Sequence, residues 1–110
     1  MKTLILLMIA AVLAVAQSGH SVTLNWGIDG NPTGTTYTAY RATGLCSGTP
    51  GYSKIAEGIT ERTFVDDTVQ AGNYCYVVTA TANGMESAHS NTAQAPVPAF
   101  PPTGLQVEVQ

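Results

Sequence analysis

The run NYCYVVTATA, from Asn73 to Ala82, constrains this chain more than any other stretch. It alternates without a break. In an extended chain Tyr74, Tyr76, Val78 and Ala80 share one face, and Cys75, Val77 and Thr79 share the other. Aromatic and β-branched residues favour a pleated, half-buried strand. Asn83-Gly84 follows directly and signals a tight turn. Beyond residue 16 no helical period competes with this pattern. Short alternating runs are broken by Gly, Pro, Asn and Asp, which is how an antiparallel β-sandwich reads.

The first residues read differently. Met1-Lys2-Thr3 is a short positive head, Leu4 to Val15 is an unbroken apolar run, and Ala14-Val15-Ala16 is a small-x-small cleavage site. Together they have the anatomy of a secretory signal peptide over residues 1–16. The rival reading is an uncleaved anchor, although the run is short for a membrane span. Cleavage leaves residues 17–110, with no further span, for a secreted, periplasmic or extracellular location. The whole chain carries a net charge of −3, and loss of Lys2 makes it one unit more negative. Nucleic acid and anionic membrane surfaces call for basic patches, which argues against both as partners. An even cysteine count in an exported chain suggests one disulfide, Cys46 to Cys75, with two free thiols as the alternative.

The strands follow in order. Val22, Leu24 and Trp26 alternate within Ser21–Trp26 and point inward. Residues 27–34 are turn-rich. Thr35–Thr43 comes next, with Tyr37 and Ala39 on one face and Tyr40 on the other. Tyr52–Glu57 and Thr63–Asp66 are shorter, and Phe64 is a core candidate. After Asn73–Ala82, Ser87–Ala95 is the last expected strand, and residues 96–102 read as a stiff proline linker.

Trp26 at a strand end, YTAYR (Tyr37 to Arg41) and TFVDDTVQAGNYCYVVTATANGMESAHSN (Thr63 to Asn91) stand in an order that resembles a fibronectin type III domain, particularly the kind found in bacterial exported proteins. The resemblance covers about Ser21 to Pro98. It implies an all-β, immunoglobulin-like antiparallel sandwich over residues 17–98. Ser21–Trp26 is then strand B, and C, C′, E, F and G follow in turn. It also implies that Trp26 and Tyr74 form a core pair, with Tyr74 as the tyrosine at the start of strand F. Members of the animal cell-adhesion kind lack disulfides, so Cys46 and Cys75 are a departure. A bridge there would pin the loop after strand C onto the outer sheet face. No Arg-Gly-Asp tripeptide occurs.

A second departure is an apparently missing strand A. Residues 99–110 contain PPTGLQVEV, which resembles the opening of such a domain. Three readings compete: a loose tail or the stump of another domain, self-docking beside strand B, or donation to a neighbouring molecule. In a donated strand Leu105, Val107 and Val109 would fill the edge, and the protein would be a self-assembling surface subunit.

Nothing in the sequence nominates catalysis. His89 and Ser90 are neighbours that point to opposite faces of a strand, as do Asp66 and Asp67. Asp29-Gly30-Asn31 lacks the further carboxylates and closing Glu of a calcium loop. No metal, cofactor or catalytic set is expected, and the chain reads as a non-catalytic module with a protein-binding or structural role. The loops are the natural binding region. Asp29 and Asn31 in one loop and Asn83 and Met85 in another should share a pole. Tyr40 and Tyr52 could stack on a sugar, a weaker reading for the partner.

Overall fold

The structure is a computed structural model that describes residues 20–27 and 29–110. The signal-peptide region falls outside the described residues. The strands are β1 (Val22–Asn25), β2 (Thr36–Thr43), β3 (Ser53–Ile59), β4 (Thr63–Asp66), β5 (Gly72–Ala82), β6 (Met85–Glu86) and β7 (Ala93–Val97). Among the described residues there is no helix. One sheet pairs β1 with β4. The other runs β3-β2-β5, and β5 also pairs with β6 and then β7. Every ladder is antiparallel.

The alternation of β5 is realised in full. Its inner face brings Tyr76 against Leu24 and Ala39, and Val22, Trp26, Ile55, Phe64 and Val78 pack around them. Tyr76 is 1% exposed, and burial of a side chain this size contributes about 2–3 kcal/mol. The outer face of β5 is covered as well: Cys75, Val77 and Thr79 are buried. Tyr40 lies opposite Val77 across the ladder, and Cys46 reaches over to Cys75. Asn83 and Gly84 take φ of 54° and 76°. Positive φ at both central residues is the backbone of a tight hairpin turn whose twist matches its strands.

The last expected strand is not one strand. Met85 and Glu86 pair with β5, the chain leaves the ladder over residues 87–92, and pairing resumes at Ala93. The break has a local cause. The hydroxyls of Ser87 and Ser90 accept the backbone N–H groups of Ala80 and Val78, both at 2.9 Å. The N–H groups of Ser87 and Ser90 donate to the carbonyls of the same two residues, at 2.7 and 2.9 Å. Two serine side chains thus take the place of main-chain acceptors. Pairing also runs further than the alternation implies, because Pro96 and Val97 face Asn73 and Gly72. Pro is tolerated here because β7 is an edge strand. The stiff linker therefore starts after Val97.

The expected core pair is different too. The indole of Trp26 packs on Tyr37, with centroids 5.4 Å apart. Tyr74 sits at the other end of the sandwich, where its hydroxyl accepts the N–H of Gln70 at 3.0 Å. Tyr74 thus fixes the approach to β5 and, like Trp26, packs against the core that Tyr76 fills, but the two do not pair with each other.

Candidate binding site at the loop pole

The ladders place three connections at one pole: residues 27–35, 60–62 and the turn at Asn83-Gly84. Asp29 organises the first. One carboxylate oxygen accepts the N–H of Asn31 at 3.0 Å, and the other accepts the Tyr37 hydroxyl at 2.9 Å. Such a side-chain-closed turn is a habit of Asp. Arg62 lies 3.7 Å from the same carboxylate, and its guanidinium donates to the Gly27 carbonyl at 2.7 Å. The backbone N–H of Asn31 foremost, then the Asn31 side chain and the Tyr37 hydroxyl, hold the Asp29 carboxyl down at about 2. Asp29 thus stays charged and braces the loop that presents Asn31.

Between this loop and the departing segment at Ser87-Ala88 lies an open cavity of about 300 Å³. Trp26, Tyr37, Val78 and Ala80 form its apolar part, with Asp29 and Asn31 among its polar lining. Asn83 and Met85 stand at the same pole, and both are exposed. Met85 does not fold over the sandwich end. Sequence reasoning named Asp29 and Asn31 but missed Trp26, Tyr37 and Ser87 as part of one cavity. The signal was the Ser-x-x-Ser spacing at Ser87 and Ser90, which pulls the chain out of the ladder and opens the cavity.

The other singled-out residues lie elsewhere. Cys46 and Cys75 are joined in a disulfide, with Cα atoms 5.1 Å apart. Gln94 supports the pinned loop by accepting the Cys46 N–H at 2.7 Å. Leu105, Val107 and Val109 are 90%, 81% and 90% exposed. The tail takes part in no ladder, so docking on its own β1 is not what the structure shows. The rings of Tyr40 and Tyr52 both pack on His89, at 5.5 and 5.3 Å, and the Tyr40 hydroxyl bonds to Glu86. They form a three-ring cluster rather than an open stacking face.

One more polar cluster is internal. Asp66 is 3% exposed. It accepts hydrogen bonds from Tyr76 at 2.7 Å, Arg41 at 2.9 Å and the Thr68 hydroxyl and N–H at 2.7 and 3.1 Å. Burial pushes this carboxyl up, but the bonds from Tyr76, Thr68 and Arg41 outweigh it and hold it below its ordinary value. Burial and the neighbouring carboxylate push the Tyr76 phenol well up. The cluster ties β4 to β5 and β2. Among the described residues no three His, Cys, Asp or Glu side chains stand close enough to hold a metal ion.

This architecture has a solved counterpart. The solution structure of the fourth fibronectin type III domain of a human protein superposes with a TM-score of 0.59, covering 78% of this chain and 74% of that one at 23% identity. The fold is that of a fibronectin type III domain. No family model matches the chain, and no curated protein matches it. The strands of that fold are lettered A to G, with C′ in place of D. In its terms β1 and β4 are B and E, β3-β2-β5 are C′, C and F, and β6 with β7 make a divided G.

Proposed function

We propose that this chain is an exported fibronectin type III module, of the kind bacteria export, whose loop pole binds a protein outside the cell. The observation that carries this is the cavity between the Asp29 loop and Ser87, with Trp26 and Tyr37 in its wall and exposed Met85 at the same pole. Aromatic residues with polar groups around them and an exposed Met nearby match the composition of a protein-binding patch. The Cys46–Cys75 disulfide supports an oxidising compartment, where such bonds persist. The signal-like residues 1–16 support the same location. The internal polar groups support a non-catalytic role, since Asp66, Tyr76 and Arg41 are committed to one another.

The test is site-specific photo-crosslinking in exporting cells. A photoreactive residue at Asn31 or Met85 is expected to trap one protein species. The same residue at Asp67, at the opposite pole, is expected to trap none. Equal trapping from all three positions, or none from any, would reject the loop pole as the binding site.

A further inference from the structure

Among the described residues β1 is bonded on one edge only, with β4 as its sole partner, so the main-chain groups of Val22–Asn25 that point away from β4 meet no strand. Along that edge runs a second cavity, of about 340 Å³, between Thr23–Trp26 and the Tyr76–Val78 stretch of β5, closed by Ser90, Asn91 and Ala93. It adjoins the loop-pole cavity, with which it shares Trp26, Val78 and Ser90. No residue of β4 lines either one, so the opening is on the free side of β1. The indole Nε1 of Trp26 is buried without an acceptor.

The same chain carries a segment suited to this edge. Leu105, Val107 and Val109 alternate with Gln106 and Glu108, and all three apolar side chains are held in solvent. Three apolar residues on one side of an extended strand are what an open sandwich edge buries. We propose that residues 105–109 of one molecule add as an antiparallel strand to the free edge of β1 in a second copy of this chain. Leu105 then lies opposite Trp26, Val107 opposite Leu24 and Val109 opposite Val22. In this register the donated apolar residues and the inward face of β1 point the same way. Antiparallel addition matches every ladder in the molecule and is the slightly more stable arrangement per residue.

The donor is another molecule because of where the tail leaves. The ring of Phe100 stacks on His20, with centroids 4.0 Å apart and planes 6° from parallel. The tail therefore emerges at the start of β1. To lie antiparallel in the stated register, Leu105 of the same chain would have to reach Trp26, at the far end. Six residue steps of strand from His20 to Trp26 span about 20 Å. Residues 101–105, fully extended, cover about 17 Å with no length left for the turn back. A tail from a second copy enters freely from the Trp26 end. The contact is head-to-tail and need not close, so it builds chains of molecules.

The test is light-scattering mass after size exclusion, on the secreted protein and on the Leu105→Asp/Val107→Asp variant, over a wide concentration range. Both substitutions are at exposed tail positions, so circular dichroism and the disulfide should be unchanged. The wild type is expected to reach at least twice the monomer mass as concentration rises. The variant is expected to stay monomeric, and a free peptide of residues 99–110 should lower the wild-type mass. A wild type that stays monomeric, or a variant that associates equally, overturns the proposal. The two readings fail separately: a loop-pole crosslink to a different protein persists in the monomeric variant, whereas a crosslink to a second copy of this chain is lost with the tail contact.

Discussion

Asp66→Ala removes the acceptor from the most enclosed polar cluster in the sandwich. The cost divides by what each donor can do afterwards. The Tyr76 hydroxyl is left with no partner at a residue 1% exposed, and an unsatisfied buried donor costs about 1–3 kcal/mol. Arg41, its side chain 25% exposed, can turn to water, so its share is held to about 1 kcal/mol or less by solvent screening. Thr68 is exposed and rehydrates readily. The total is about 3 kcal/mol, against a stability of about 5–10 kcal/mol for a domain of this size. The assay is urea unfolding with the disulfide intact, followed by the fluorescence of Trp26, the single tryptophan. Tyr76→Phe alone is expected to cost about 1.5 kcal/mol, since it removes one bond to a charged acceptor. The double variant should cost clearly less than the sum, because Phe leaves no orphaned hydroxyl. A loss below about 1 kcal/mol for Asp66→Ala would refute this reasoning. So would single-variant costs that add within about 0.5 kcal/mol.

The same cluster sets a pH window. Asp66 is held below its ordinary value, so its contribution is complete above about pH 4 and is lost as pH falls through its folded value. Tyr76 is held above its ordinary value, so its contribution is complete below about pH 10 and is lost as pH rises beyond that. Urea midpoints should fall on both sides, and Tyr76→Phe should flatten the alkaline side. Reduction of Cys46–Cys75, which closes a loop across 29 positions, is expected to cost about 3–4 kcal/mol in the same assay. Ser90→Ala deprives the Val78 N–H of its acceptor at 2.9 Å and should cost about 1 kcal/mol. It should also raise amide exchange at Val78.

Much of the fold was legible because apolar alternation and turn residues agree along β1, β2, β4 and β5. The strand that sequence reading misjudged is the one where they disagree. Residues 87–95 look extended, but Ser87 and Ser90 offer side-chain oxygens that outcompete the ladder locally. Pro96 reads as a linker residue, and only the edge position of β7 lets it sit in a sheet. The pairing of Trp26 with Tyr37 rather than Tyr74 depends on register across two sheets, which no local pattern encodes. The candidate site was half visible. Asp29 and Asn31 stand in a turn motif, but the cavity exists only because a distant serine pair moves the chain aside. The role of Asp66 was hidden for the same reason: beside Asp67 it reads as a turn residue, and its partners Arg41 and Tyr76 come from other strands.

The protein proposed here is an exported sandwich whose outer loop is locked by a disulfide. Its most direct test is peptide mass mapping of the natural protein, recovered from cells under non-reducing conditions after thiol alkylation. The expected result is a chain beginning at Gln17, found outside the cytoplasm, with the peptides containing Cys46 and Cys75 linked and neither cysteine alkylated. A chain that keeps residues 1–16 and carries both cysteines alkylated would rule out both export and the locked loop.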